Sequence, residues 1–500
     1  MSTYTLTEDD LDYQDDDPPI VRAARNPNPL VLSAVINEGN RRLAASPSNK
    51  SIKHYFSVNT CIPRSIYGGE YTTPLLSAIE AALPQNVAIL LAAGATPDGI
   101  LYCIDEFAVR FIRGRQQRYN ASLRSRSKVM PTISLGVPQA APLTPEELAV
   151  RRNGLARFWT EHQLPAQYSF PARTPLEVAA VTGNVAIFDQ VRAAGPDESW
   201  WTINPTPPEL PSEPSLSALC TSSPVHEAIV YENLEMLQHL LALGFSPNIL
   251  PLAAPTCCFP PHMTAIAFCD PPNLQAYDIL AAHPAVDLTR RTPVYSIHVL
   301  HIAVARLDIP LVQHLTRYPS TPLSSASQTV LGHTLLHIAT LPTTDMHIYL
   351  FSKKIFRSVH DVRTLSTRWM NRDLRRRKRE NRGIFSAISD DLPIPPPLTL
   401  RDEEERVMQE NMVLWLLQSG TQDLAAQDVY GNTPLHYLVC AMNPNEVLIE
   451  KLREFFEGEA VWKGSKNELG YTPEDLWEDG KTAGWVEHYK EFWMDEARVY

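Results

Sequence analysis

Apolar residues along this chain fall into pairs of short helical segments, each pair followed by a turn. In RTPLEVAAVTGNVAIFDQVRAAG, residues 173–195, Thr174 can cap a helix whose first turn holds Pro175. Leu176 then begins an inward-facing apolar stripe, and Gly195 provides a left-handed stop after the second helix. One such pair cannot bury its own apolar face, so the pattern predicts that neighbouring pairs stack.

The same pattern recurs elsewhere in the sequence. Clear copies are TTPLLSAIEAALPQNVAILLAAG, SPVHEAIVYENLEMLQHLLALG and DVYGNTPLHYLV, and weaker copies begin at His298, His333, Met263 and Gly470. A degenerate copy is predicted near Leu30, in LVLSAVINEGN. The repeat-core positions are Thr73, Pro74, Leu75, Thr174, Pro175, Leu176, Pro224, His226, His301, His337, Thr433, Pro434, Leu435 and His436.

These cores resemble the T-P-L-H-x-A core of the ankyrin-repeat family, most closely in TPLHYL from Thr433. The resemblance implies an all-α fold, an irregular ankyrin-repeat solenoid of helix-turn-helix units. Most units are spaced more widely than the roughly 33 residues of an undecorated ankyrin unit, so long loop and helical insertions are expected.

Composition along the chain predicts six blocks. They are an acidic disordered tail at 1–28, N-terminal ankyrin-like units at 29–99, a basic and Pro-rich insertion at 100–171, central repeats at 172–355, a second basic and Pro-rich insertion at 356–401, and C-terminal repeats with an acidic cap at 402–500. The high number of prolines, 43, agrees with many short helices and long connections.

The sequence shows neither a secretory signal nor an apolar run long enough to span a membrane, so we expect a soluble intracellular protein without membrane contact. Its seven scattered cysteines fit reduced thiols rather than a disulfide framework. The spacing of Cys257, Cys258, His262 and Cys269 matches no zinc pattern, and no cofactor-binding motif is present. We therefore expect neither metal nor cofactor.

The histidines His226, His301, His337 and His436 recur at one repeat position, which favours a structural role over catalysis. In the family that the chain resembles, this histidine forms backbone hydrogen bonds that hold adjacent turns together. Neither a nucleophile elbow nor a metalloprotease motif occurs. The sequence therefore predicts no enzyme activity and no catalytic residues.

A basic run stands out in a chain of formal net charge -12. Arg375, Arg376, Arg377, Lys378 and Arg379 are consecutive, and RRRKRENR resembles the start of a basic-leucine-zipper basic region. Gly383 and the prolines from Pro393 end any helix before one heptad is complete, so direct DNA reading is disfavoured. A nuclear address is the favoured interpretation over a solvated basic surface.

The acidic N-terminal segment interleaves Tyr4, Leu6, Leu11 and Tyr13 with acids, as in amphipathic activation segments; a plain solvated tail is the alternative. The combination is similar to fungal ankyrin-repeat transcription coregulators, including those of biosynthetic gene clusters. We therefore predict a protein-binding scaffold in the nucleus that contacts a DNA-bound transcription factor and not DNA itself. A cytoplasmic adaptor presenting client proteins to a ligase or kinase is the alternative.

Overall fold

The computed structural model describes residues 4–11, 17–63, 71–99, 174–198, 201, 222–249, 259–269, 271–291, 297–326, 328–329, 332–341, 401–428, 431–440, 444–468 and 470–482. The predicted insertion at 100–171, and the one at 356–401 except for its last residue, lie outside the described residues. The predicted nuclear address lies outside them as well.

Two compact units divide the described residues. The first ends at Asp287 and the second begins at Leu288, a division that falls inside the predicted central block 172–355. The first unit contains α1 Glu8–Leu11, α2 Pro19–Ala24, α3 Pro29–Ala45, α4 Lys50–Phe56, β1 Ile62–Pro63, β2 Tyr71–Thr72, α5 Pro74–Glu80, α6 Pro84–Ala92, α7 Pro175–Thr182, α8 Val185–Ala193, α9 Pro224–Val230, α10 Leu234–Ala242, α11 Pro261–Ala267 and α12 Leu274–Ala281.

The second unit is also helical where it is described. It contains α13 Val299–Ala305, α14 Ile309–Leu315, the 3₁₀ turn Leu323–Ser325, α15 Leu335–Thr340, α16 Arg401–Gln418, α17 Pro434–Val439, α18 Glu446–Glu454, α19 Gly458–Gly464 and α20 Pro473–Thr482. The long helix α16 begins at the end of the second insertion, and Gly420, two residues after this helix, has φ +67°.

Several first helices, among them α5, α7, α9 and α17, begin where the sequence places a capping residue followed by a proline. The Thr73 hydroxyl accepts from the Leu76 amide at 3.2 Å, and Thr174 and Glu177 cap each other's amides at the start of α7. The proline that follows loses nothing, because the first amides of a helix have no intrahelical acceptor. Short helices are therefore fixed at their N-termini by local chemistry.

Packing repeats along each unit. In the first unit α2, α5, α7, α9 and α11 pack in that order, each against the next, and each also packs against its own second helix. In the second unit α13, α15, α17 and α20 form the corresponding series. The expectation of an all-α solenoid of ankyrin-like helix pairs is confirmed; within the described ranges the exception is a two-residue antiparallel ladder that pairs Ile62 with Thr72.

The N-terminal boundary needs correction. Residues 1–28 were expected to form a disordered tail, with a degenerate repeat beginning near Leu30. Instead α2 buries Ile20 and Val21 completely, and α3 is the second helix of this first pair. The acidic residues before Pro18 gave no indication of α2. This helix has only six residues, and packing on its neighbours stabilises it rather than its own helix propensity.

Candidate functional site

The predicted repeat-core residues occupy equivalent places in successive helix pairs and do not converge on one cavity. Thr73, Thr174 and Thr433 are the N-terminal caps of α5, α7 and α17, while Ser223 replaces threonine before α9. The prolines are the first residues of these helices, and the leucines that follow are buried: Pro74, Pro175, Pro224, Pro434, Leu75, Leu176 and Leu435. These residues therefore fix the starts of the helices and the packing between successive pairs.

Three of the four core histidines join one turn to the next. His226 Nε2 lies 2.7 Å from the Phe259 carbonyl, and its Nδ1 lies 2.7 Å from the Ser223 hydroxyl. In the second unit, His337 Nε2 is 3.0 Å from the Asn432 carbonyl, and His436 Nε2 is 3.0 Å from the Tyr471 carbonyl. Each imidazole thus spans from its own helix cap to the turn of the following pair.

The partners fix the tautomer of these rings. A carbonyl only accepts, so Nε2 must donate, and the amides of Thr334 and Thr433 donate to the Nδ1 atoms of His337 and His436 at 3.2 and 3.0 Å. Burial lowers the pKa of His226, His337 and His436 to about 4 in each case. The rings are therefore neutral near pH 7 and serve as two-ended hydrogen-bonding bridges.

His301 departs from this pattern. Its Nδ1 accepts from the His298 amide at 3.0 Å, but in the described part of the chain Nε2 has no hydrogen-bond partner. Burial, and then the charge of Arg291, lowers its pKa well below the ordinary value. Here the core histidine caps its own helix without joining the next turn.

The sequence did not predict a second set of hydrogen bonds between repeats. In these, side-chain amides of one helix pair bond to the preceding helix pair. Asn233 Nδ2 donates to the Ala180 and Val181 carbonyls, both at 2.8 Å, at the end of α7. Asn86, Asn273 and Gln409 make equivalent bonds to the ends of earlier helices, whereas Asn445 Nδ2 donates to the Arg406 carbonyl inside α16. The available signal was an asparagine at or just inside the start of the second helix.

The loops that follow the second helices are also bonded to one another. Asn59 Nδ2 donates to the Gly94 carbonyl at 3.0 Å, and Asn248 Nδ2 donates to the Ala285 carbonyl at 2.6 Å. The Asp98 carboxylate accepts from the Asp197 amide at 2.8 Å. Polar contacts therefore fix the loops after the second helices as well as the turns and ends of the first helices.

One buried polar cluster lies in the second unit. The Asp428 carboxylate accepts from the Asn432 amide at 2.9 Å and from the Tyr437 hydroxyl at 2.5 Å, and His333 Nε2 lies 3.6 Å from it. His333 Nε2 also lies 2.9 Å from the Tyr437 oxygen. Burial raises the pKa of Asp428, but the interactions with His333, His337 and Tyr437 together outweigh it and bring the pKa below its ordinary value. The cluster fixes the turn before α17.

Neither a metal site nor a membrane-spanning helix occurs among the described residues. Of the four candidate metal ligands, His262 is buried and the Cys269 thiol lies 3.6 Å from the Ile229 carbonyl, whereas Cys257 and Cys258 lie outside the described residues. Over the described ranges, no group of three or more His, Cys, Asp or Glu side chains could hold a metal ion. In those ranges, too, no helix is both long and apolar enough to cross a membrane.

Similar known proteins are found by comparison of structures and not by comparison of sequences. No protein-family model matches the sequence, and no curated protein is similar to it. The ankyrin repeat domain of Bcl-3, described as a unique member of the IkappaB protein family, is 16% identical over 65% of this chain and 95% of that domain, with a TM-score of 0.35. The human ASB11 ankyrin repeat domain is 17% identical over 56% of this chain and 90% of its own, with a TM-score of 0.23. Because these scores are low, the fold assignment rests on the repeated helix pairs of this chain.

Proposed function

We propose that this chain is a protein-binding scaffold that acts in the nucleus as a transcription coregulator. The observation that carries the proposal is the double set of buried bridges, from histidines on one side and side-chain amides on the other, exemplified by His226 and Asn233. A surface held in advance loses little conformational freedom when a partner binds, which favours recognition. Repeat stacks present extended surfaces of this kind and specify no chemistry of their own.

The nuclear part of the proposal is supported by sequence. The run from Arg375 to Arg379 supplies the clustered charge that nuclear import receptors read, and the acidic N-terminal segment carries interleaved Leu and Tyr residues. A chain of net charge -12 is on balance repelled by DNA phosphates. The partner we propose is therefore a DNA-bound transcription factor, such as one that governs a biosynthetic gene cluster.

Localisation tests the nuclear role. A fluorescent fusion of the full chain in which Arg375, Arg376, Arg377, Lys378 and Arg379 are replaced by alanine should lose nuclear accumulation. A matched control replaces Arg113, Arg115, Arg118, Arg124 and Arg126 by alanine, which removes the same charge from the other insertion, and should stay nuclear. Cytoplasmic wild-type protein would favour the adaptor function, whereas unchanged nuclear accumulation of the first variant would reject the basic run as the nuclear address.

A second assay separates a coregulator from a DNA-binding protein. Full-length protein is titrated with bare duplex DNA at several salt concentrations, because phosphate contacts by Lys and Arg give a steep salt dependence of the affinity. The proposal predicts no measurable binding at physiological salt. Tight binding with a steep salt dependence would assign DNA binding to the basic run. It would reject the proposal that only the partner of this chain contacts DNA.

A further inference from the structure

An exposed acidic and aromatic face occupies α18 and the turn after it. The helix buries Leu448, Ile449 and Leu452 against its neighbours, and its opposite side is solvent-exposed. On that side Val447 is 55% exposed, and just beyond the helix Phe456 is 83% exposed. Large apolar side chains in solvent, close together on one element, are typical of an interaction surface.

The turn holds Phe456 outward by its backbone geometry. The Gly458 amide donates to the Phe455 carbonyl at 2.8 Å, and Glu457 has a left-handed φ of +63°, which is unfavourable for a residue with a side chain. A Cβ atom on Gly458 would lie 1.9 Å from the Leu452 carbonyl oxygen, so only glycine fits. The ring is therefore displayed on a turn whose conformation is already fixed, as an anchor for recognition should be.

The charge of this face is negative. Glu446, Glu450 and Glu454 follow one another at intervals of four residues, so they lie along one side of α18, and Glu457 continues the row. The nearby bases are engaged elsewhere: Lys451 pairs with Glu410 of α16, and Arg453 pairs with Glu459 and lies 4.9 Å from the centre of the Trp462 ring. Glu446, Glu454 and Glu457 form no ion pair within the described ranges.

A neighbouring helix extends the apolar part. Asn445 at the start of α18 donates to the Arg406 carbonyl of α16 at 3.1 Å, which places the N-terminal turn of α18 beside the residue that precedes Val407. Val407 is 56% exposed. The face thus combines valines at one end, a row of carboxylates, and Phe456 at the other end.

We propose that this face, consisting of Val407, Val447, Glu446, Glu450, Glu454, Phe456 and Glu457, binds a Lys/Arg-rich amphipathic segment of a partner protein. The carboxylate row complements Lys or Arg side chains spaced along a partner helix, and apolar residues of that helix cover Phe456 and the valines. The same charge repels nucleic acid. The inference rests on the proposed scaffold function and assigns it a surface and a partner chemistry.

Binding to a defined probe tests the proposal. An 18-residue amphipathic Lys/Leu helix is titrated against the full chain by fluorescence anisotropy, with a Glu/Leu helix of equal length as the charge-reversed probe. We expect the Lys/Leu helix to bind and the Glu/Leu helix not to bind. Phe456→Ser, and separately Glu450→Gln with Glu454→Gln, should each weaken binding at least about tenfold.

Matched controls remove similar groups elsewhere. Leu30→Ser changes a residue that is 37% exposed in the first unit, and Glu8→Gln with Glu235→Gln removes two exposed charges from α1 and α10 of the same unit. These variants should bind the Lys/Leu helix like wild type. Equal binding to wild type and the Phe456→Ser variant, or equal losses in the controls, would overturn the proposal, because attraction would then be non-specific.

Two further outcomes would reject this face as a binding site for a basic helix. If the wild-type chain is a dimer by sedimentation and Phe456→Ser makes it a monomer, the face binds a second copy and the proposal is wrong. If the Lys/Leu helix does not bind but the chain still retains protein partners equally with and without Phe456→Ser, the scaffold function survives and this surface is rejected. Unfolding midpoints of all variants should match wild type, since the changed side chains are exposed.

Discussion

Mild acid should destabilise the protein through its buried histidines. The pKa of His337 and of His436 is about 4 in the folded chain, against 6.5 for an ordinary histidine, because burial disfavours the charged form. The unfolded chain therefore takes up protons that the folded chain does not, so stability is complete above pH 6.5 and falls as the pH drops towards 4.

The magnitude follows from the two pKa values. A difference of 2.5 between 6.5 and about 4 corresponds to roughly 3 kcal/mol per histidine at pH 4, and to about 2 kcal/mol per histidine at pH 5. His337 and His436 together should therefore remove about 4 kcal/mol between pH 7 and pH 5. That is a large part of the roughly 5–15 kcal/mol by which domains are stable.

Urea unfolding followed by circular dichroism at pH 7, 6 and 5 measures this loss. His337→Gln keeps a donor and an acceptor but cannot titrate, so its difference in stability between pH 7 and pH 5 should be about 2 kcal/mol smaller than that of wild type. His54→Gln, which changes an exposed histidine outside the repeat core, is the control. A wild-type stability that does not change from pH 7 to pH 5, or an equal pH dependence in wild type and His337→Gln, would refute the reasoning.

Three substitutions test the remaining bridges and turns. Ala82 has a left-handed φ of +53°, so Ala82→Gly should raise the free energy of unfolding by about 0.5–1 kcal/mol, whereas Ala81→Gly, at a right-handed position, should not; equal effects would contradict this. Asn233→Ala should cost about 1–3 kcal/mol in urea unfolding, because two carbonyls at the end of α7 lose their donor, and a loss below 0.5 kcal/mol would show that the bond is unimportant. Tyr437→Phe should cost about 1.5–3 kcal/mol by removing the hydroxyl that donates to buried Asp428, and an unchanged midpoint would argue against that bond.

The features that sequence predicted are those set by local chemistry. Thr174 followed by Pro175 specifies a helix start at whatever place it occurs, and glycine at positions such as 195 and 244 marks a left-handed stop, with φ of +79° and +90° in the structure. The repeated helix pairs and the all-α fold follow from this local chemistry and from apolar periodicity.

The features that sequence did not predict depend on packing. The turn between the two helices of a pair is left-handed at Gly183, and the equivalent residues Ala82, Glu232 and Leu307 adopt the same conformation without being glycine. Their side chains give no sign of a positive φ, because surrounding packing imposes it. Likewise α2 is too short to be stable alone, and its helical state depends on contacts made with α3 and α5.

The candidate surface was hidden from sequence for a different reason. Phe455, Phe456 and Val447 could equally have been core residues, since an apolar side chain in a helical pattern is usually buried. Only the structure, in which Leu448, Ile449 and Leu452 form the buried side of α18, shows that Phe456 is exposed to solvent. The contact between Asp428 and His333 could not be predicted either, because the two residues lie far apart in the sequence.

Isolation of partners from cells tests the central claim most directly. Tagged full-length protein is recovered from nuclear extract after digestion of DNA, and the bound proteins are quantified for wild type and for Phe456→Ser. The account predicts a stoichiometric DNA-binding protein that remains after digestion and is depleted at least about tenfold by Phe456→Ser. Wild-type protein recovered without any stoichiometric protein partner, from nuclear and cytoplasmic extracts alike, would contradict the claim that this chain is a protein-binding scaffold.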